Sequence, residues 1–299
     1  MIDQDQLGAA LSTIKKLIND GNVVQAKKQF RELLEQIPPD SPFYGVITGL
    51  AASLEKVQCG PLFREYVIDC NLGDIQFKFL IGDSVGESWF KNMPADIPQI
   101  TFTRSRMVKR TDSIFEVGAH HGYFTMMLAK WADLGRVVAF EALPHNSVVL
   151  SRNVSLNSLT NVEVVNKAVS NTEGTCLIRQ SPNSCVSLPG ETGIESPVTY
   201  LDKYAHLDPT FLKIDVEGLE VQVLRGAKTI LEKRPKLMVE VHLAEMRSYG
   251  YASNDLLEIL KPLDYSVWLE VSHHAPVPYD WSPLDGITEG GIQLYALPN

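Results

Sequence analysis

The stretch Asp112–Trp131, DSIFEVGAHHGYFTMMLAKW, restricts the fold more than any other part of the chain. A short apolar run, Ile114–Val117, breaks at Gly118-Ala119-His120-His121-Gly122 and gives way to an amphipathic helix beginning at Tyr123. An apolar strand that turns through glycines into a helix places backbone N–H groups at the carboxyl edge of a parallel sheet, a cradle for a small molecule. The spacing argues against a dinucleotide. That fingerprint needs G-x-G-x-x-G, whose middle glycine admits the pyrophosphate, and His120 occupies the position here. Glu116 precedes Gly118 by two residues, giving E-x-G-x-x-x-G. A carboxylate at the strand end suits a ligand with a cationic amino group and no pyrophosphate, and S-adenosylmethionine is such a ligand.

Beyond Ser113 apolar strands alternate with amphipathic helices, the pattern of a parallel sheet covered on both faces. Strands are expected at Ile114–Val117, Val137–Phe140, Val162–Val165, Phe211–Ile214, Leu237–Val241, Tyr265–Leu269 and Ile292–Ala296. Helices fall near Tyr123–Trp131, His145–Leu156, Leu219–Glu232 and Ser253–Leu260, and an insertion with β-like pieces lies between Gly174 and Tyr200. The expected fold is therefore α/β, a Rossmann-like doubly wound and mostly parallel seven-stranded sheet with an N-terminal helical extension. Three regions follow: helices over 1–58, a β-hairpin or flap over 59–110, and the α/β domain over 111–299. In the first, Leu7, Leu11, Ile14, Leu17 and Ile18 share one helix face, and Ala26, Phe30, Leu33, Leu34 and Ile37 share another before Pro38-Pro39 stops the helix. Asp40-Ser41-Pro42 opens a third helix, carrying Val46, Leu50 and Leu54. Gly21, Ala26, Phe30 and Pro38 resemble the second helix of a tetratricopeptide repeat. These helices are expected to form a cap or a docking element for a second copy or a protein partner, or equally a plain antiparallel hairpin that covers a hydrophobic patch.

A formal net charge of −9 speaks against a broad electrostatic footprint for nucleic acid. The N-terminus shows no basic-then-apolar leader, and no apolar run approaches a membrane span. Four cysteines lie scattered with no C-x-x-C pair, as expected of reduced structural thiols in a cytoplasmic protein.

Three blocks in order carry a family resemblance: Ile114–Gly122 with Tyr123-Phe124-Thr125; Gly135–Ala142 leading to Asn153–Asn157 and Ala168–Ser170; and Phe211–Glu220 continuing to Val223–Ala227. Together they resemble the FkbM family of S-adenosylmethionine-dependent methyltransferases, most specifically in K-I-D-V-E-G-x-E-x-x-V-L-x-G-A. Two positions depart from the family, which usually has asparagine at His120 and proline at Ala142. The resemblance implies a methyltransferase, with Glu116, Gly118, Ala119, His120, Gly122 and Tyr123 forming the loop at the cofactor. Glu141 and the following Ala142 would receive the ribose hydroxyls, and Lys167 and Ala168 the adenine edge. Asp215 would hold the cofactor's amino group or orient the acceptor, beside Glu217 at a helix start, where its charge also suits the helix dipole.

A hydroxyl acceptor must lose a proton as the new bond forms. Glu240 and His242 end the fifth strand on the same side, and His242 is the first candidate base because imidazole titrates near neutrality. A strand-end histidine can equally be a hydrogen-bonded structural residue. His121 is the second candidate base, facing the substrate, and His273 and His274 are expected to shape the acceptor site. A divalent ion on Asp215, Glu240, His242 and His273 or His274 is the weaker alternative, since no close-spaced ligand motif supports it. The expected reaction is O-methylation of a sugar, glycan or natural-product-like small molecule, with no nucleic-acid partner. The alternative, from another class, is a non-catalytic scaffold that uses the same fold and the N-terminal helices for docking.

Overall fold

The computed structural model describes residues 4–19, 23–38, 41, 43–44, 47–48, 63–179, 185–287 and 291–299. The chain divides into two units, Met1–Arg64 and Glu65–Asn299. In the first, α1 (Gln4–Asn19) and α2 (Val23–Glu35) bury the faces their spacing marks, with Leu7, Ile14, Ala26, Phe30, Leu33 and Ile37 forming a small core with Ile47. The expected helix-ending Gly21-Asn22 and the side chains of Ile18, Val46, Leu50 and Leu54 lie outside the described residues.

The second unit opens with an antiparallel hairpin of β1 (Tyr66–Asn71) and β2 (Gln76–Ile81). Residues Ser84–Phe90 form α3 and Pro98–Phe102 form α4. The main sheet contains β3 (Ser113–Val117), β4 (Arg136–Phe140), β5 (Val162–Val165), β10 (Phe211–Ile214), β11 (Lys236–Val241), β12 (Tyr265–Val271), β13 (Val277–Pro278) and β14 (Ile292–Pro298). Its order is β13-β12-β14-β11-β10-β3-β4-β5. Neighbours from β5 to β11 run parallel, whereas β14 is antiparallel to both β11 and β12. The expected strands are all present, and the two-residue β13 adds an eighth at the edge. The central strands read as unbroken apolar runs because helices cover both faces. Among the charges that interrupt them, Glu116 and Lys213 are register partners on β3 and β10.

Helices α5 (Tyr123–Trp131) and α6 (Pro144–Leu156) follow β3 and β4. From α6, Asn153 and Asn157 act on β2 as a neighbouring strand would. Asn153 accepts from Leu80 N–H at 2.6 Å and donates to Leu80 C=O, and Asn157 repeats the pattern on Lys78. The hairpin is thereby tied to α6, which leaves α3 as the part of this region bordering the glycine loop.

The single helix expected over Leu219–Glu232 is two, α7 (Glu220–Arg225) and α8 (Lys228–Glu232). A Cβ at Gly226 would meet the Ser170 carbonyl at 2.1 Å, so the chain bends where another segment crosses it. Leu243–Ser248 and Ser253–Leu260 form α9 and α10. The Gly174–Tyr200 insertion contributes to a separate four-stranded sheet, β6 (Ala168–Val169), β9 (Ile194–Thr199), β7 (Gly174–Arg179) and β8 (Cys185–Val186) in that order. Among the described residues no helix is long and apolar enough to cross a membrane.

Candidate active site

The carboxyl ends of β3, β4, β10 and β11 converge on one edge of the sheet, and the loops leaving them build the site. The glycine loop is forced by close approach. Gly118 has φ +82°, and a Cβ there would lie 1.7 Å from the Asp215 carbonyl oxygen. Gly122, at φ +87°, caps α5, where a Cβ would meet Leu150 at 2.2 Å. The loop's amides are turned inward, against the expectation that Ala119 and His120 offer theirs to a ligand. Gly118 and Ala119 N–H both donate to the Phe140 carbonyl, and His120 N–H donates to Glu141 Oε2 at 2.7 Å.

Glu141 is thus held from two sides, because its Oε1 accepts from Leu143 N–H at 2.8 Å. Burial raises its carboxyl to about 7 despite these hydrogen bonds. Both oxygens retain further acceptor capacity. Glu141 lines a pocket with Gly118, Ala142, Lys167, Ala168 and Asp215, closed on its far side by Ile178, Val186 and Leu219. Asn166, next to Lys167, donates to the Glu141 and Ala142 carbonyls and fixes the turn.

Glu116 lies behind this pocket, fully buried. Thr125 Oγ1 donates to its Oε2 at 2.6 Å, and Lys213 Nζ stands 3.8 Å from Oε1, which has no hydrogen bond. Burial pushes Glu116 up to about 7, with Lys213 opposing. For Lys213 burial works against the charge, but Asp215, Glu116 and Glu240 together raise it. This lysine is a site residue that sequence reasoning passed over, although a lysine inside an apolar strand is itself a signal.

Two expected site residues face elsewhere. The Tyr123 ring packs among Phe77, Phe79 and Phe90 beneath the hairpin, stacked on Phe90 at 5.2 Å. His121 is fully buried against α3 and Asp83, so it does not present itself to an acceptor.

The mouth of the site is crowded with carboxylates. His242 Nδ1 bonds Glu220 Oε1 at 2.7 Å, and the same oxygen accepts from Gly218 N–H. His242 Nε2 stands 3.8 Å from Asp215 Oδ1, 3.5 Å from Glu217 Oε2 and 3.8 Å from Glu240 Oε1. Burial disfavours a charged ring, but the Glu220 hydrogen bond and the Asp215, Glu220 and Glu217 charges outweigh it and raise His242 to about 10. The ring is therefore a cation at neutral pH, which corrects its expected readiness to act as a base. Glu240 is pushed up to about 7, first by burial and then by Asp215, while Gln293 Nε2 donates to its Oε2.

Asp215, Glu240 and His242 also bring one ligand atom each within 4.8 Å of the others. A divalent ion bound through His242 Nε2 would first have to displace the proton that these carboxylates hold on the ring. His273 is 72% exposed beside Glu270, and His274 turns back on the Val271 carbonyl; among the described residues neither joins this group. Glu220 was the other omission: it closes the K-I-D-V-E-G-x-E block, but its contact with His242 spans 22 residues.

This strand order, with a glycine loop after β3 and a buried acid after β4, defines a Rossmann-like S-adenosylmethionine-dependent methyltransferase. The chain belongs to the FkbM methyltransferase family, whose "Methyltransferase FkbM domain" matches residues 116–267, and S-adenosylmethionine is its cofactor. Similar solved structures include a methyltransferase FkbM from Methylobacillus flagellatus KT, at 16% identity and TM-score 0.44, covering 95% of this chain and 60% of that one. The Methanococcus jannaschii fibrillarin pre-rRNA processing protein is 15% identical at TM-score 0.43, covering 81% of this chain and 85% of its own. A precorrin-6y C5,15-methyltransferase from Geobacter metallireducens GS-15 is 12% identical at TM-score 0.42, covering 70% and 90%. The chain thus spans 60% of the length of the Methylobacillus protein. No curated protein matches the chain in sequence.

The residues present fit that cofactor. Glu141 has acceptor capacity left for two vicinal hydroxyls, and the apolar side of the pocket could take a flat base. Asp215 Oδ2 accepts from Lys213 Nζ at 3.3 Å, and the side chain, 29% exposed, leaves Oδ1 for an ammonium group.

Proposed function

We propose that the protein methylates a hydroxyl oxygen of a sugar, glycan or natural-product-like small molecule, with Glu240 as the base. The observation that carries this reading is the pairing of Glu240 with a cationic His242 at the strand-end mouth. The cofactor supplies a methyl group on an activated sulfonium, so the protein's tasks are alignment, exclusion of water and removal of one proton. Glu141 holds the ribose, Lys167 and Ala168 border the adenine, and Asp215 receives the ammonium of the methionine portion. Glu116 faces Lys213 and ties β3 to the first turn of α5 through Thr125 rather than touching ligand.

Glu240 takes the hydroxyl proton on Oε1 while Gln293 holds Oε2. A carboxylate titrating near 7 is well matched to that task at neutral pH. His242, fixed by Glu220, keeps its protons and holds the neighbouring carboxylates in place. Carboxylates at the mouth and a net charge of −9 favour a small neutral or cationic acceptor over a polyphosphate chain.

The test is methyl transfer to hydroxylated sugars, glycans and natural products, alongside amines and RNA, with the methylated atom identified. We expect O-methyl products, and Glu240→Gln lowering kcat by about 100-fold with cofactor affinity unchanged. Exclusive methylation of amines or RNA, or a full kcat in Glu240→Gln, would overturn the assignment.

A further inference from the structure

Apart from the strand-end carboxylates, the fold gathers Asp83, His121 and His145 from three separate elements. Asp83 caps α3, its Oδ1 accepting from Gly86 N–H at 2.8 Å. His121 belongs to the glycine loop, and His145 to the first turn of α6. Both imidazoles aim Nε2 at the same oxygen: His145 lies 3.0 Å and His121 3.3 Å from Asp83 Oδ2. His121 is fully buried; its Nδ1 has no hydrogen-bond partner, and its Nε2 has only the 3.3 Å contact to Asp83. Its place depends on Gly86, where a Cβ would fall 2.4 Å from His121 Nδ1. A buried ring held by one long polar contact, with its other nitrogen unpaired, is disfavoured unless something else engages it.

We propose that Asp83, His121 and His145 form a binding site for a divalent transition-metal ion of the zinc type. Zinc–ligand bonds of about 2.0–2.1 Å in tetrahedral geometry separate neighbouring ligand atoms by about 3.3 Å. The separations of 3.0 and 3.3 Å in the structure are edges of that size. Two imidazoles with one carboxylate select zinc and its transition-metal neighbours over magnesium or calcium, which prefer oxygen ligands. Asp83 and His145 are partly exposed, so the fourth position opens to water. The ion would clip α3, the glycine loop and α6 together, and so fix Trp89, whose ring lies 5.0 Å from that of His120.

The full chain, freed of metal by a chelator and then dialysed, is titrated with zinc by calorimetry and with cobalt by visible absorption. We expect one zinc per chain and a higher Tm with zinc bound. His145→Ala should weaken binding by more than about 100-fold, and Asp83→Asn, which can still cap α3, by about 10- to 100-fold. Glu240→Gln, in the other cluster, should bind as the parent does. The proposal is overturned by an absence of saturable zinc binding, by binding that survives His145→Ala, or by binding lost in Glu240→Gln. An intense thiolate-to-cobalt band would assign the ion to cysteine and overturn it equally.

Discussion

The two halves of the methyl-transfer site are built on opposite terms. On the donor side polar groups already have partners: three loop amides donate internally, and both Glu141 oxygens accept from backbone at 2.7 and 2.8 Å. On the acceptor side, His242 is held by Glu220 through Nδ1, while its Nε2 sits 3.5–3.8 Å from three carboxylates. The first is preorganised and its geometry follows from backbone crossing. The second keeps charge in reserve for a substrate. Evolution of a new acceptor can thus proceed on side chains without touching the loop that binds the cofactor.

The sharpest way to break this contrast is Gly118→Ala. A Cβ 1.7 Å from the Asp215 carbonyl, at φ +82°, should cost more than about 3 kcal/mol in denaturant unfolding. A variant of unchanged stability would mean that the donor side is not rigid. Next in size is the loss of about 100-fold in kcat for Glu240→Gln. Because Glu240 must be ionised to accept a proton, the parent's kcat should rise with pH through about 7, and the variant should lose that limb. Glu141→Gln should weaken cofactor binding by about 10- to 100-fold, since its amide must turn a donor toward one backbone N–H. Calorimetry on the two proteins reads this directly.

The smallest effect separates positioning from proton transfer. His242 is raised to about 10 from a usual value near 6.5, so its stabilising contribution is complete below pH ~6.5 and lost as pH rises through about 10. Glu220→Gln retains the acceptor oxygen but removes the charge. Its His242 NMR titration should move down, and its stability should fall less between those pH values. An unmoved midpoint would show that Glu220 does not set the ring's charge.

Much of this was legible in the sequence, for identifiable reasons. Buried parallel strands read as apolar runs, so β3, β4, β10 and β11 could be marked from composition alone, and the strand-end acids Glu116, Glu141, Asp215 and Glu240 came with them. What could not be read depends on partners distant in sequence. The break at Gly226 is caused by Ser170, and the inward turn of Tyr123 by the β1–β2 hairpin. His121 meets Asp83, which no spacing rule connects to it. The charge state of His242 follows from Glu220 and Glu217 curling back beneath it, which turned the expected base into a cation.

The placement of β14 has a consequence for biosynthesis. It follows β12 in the chain but lies between β12 and β11 in the sheet. The folding chain therefore cannot join β12 to the rest of the sheet until β14 is in place, and until then β12 keeps an unpaired edge. Such a waiting strand invites pairing with a neighbouring chain. Removing β14 should therefore leave β11 and β12 each with an unpaired edge and lower the yield of unaggregated protein more than an equal deletion at the outer strand β13.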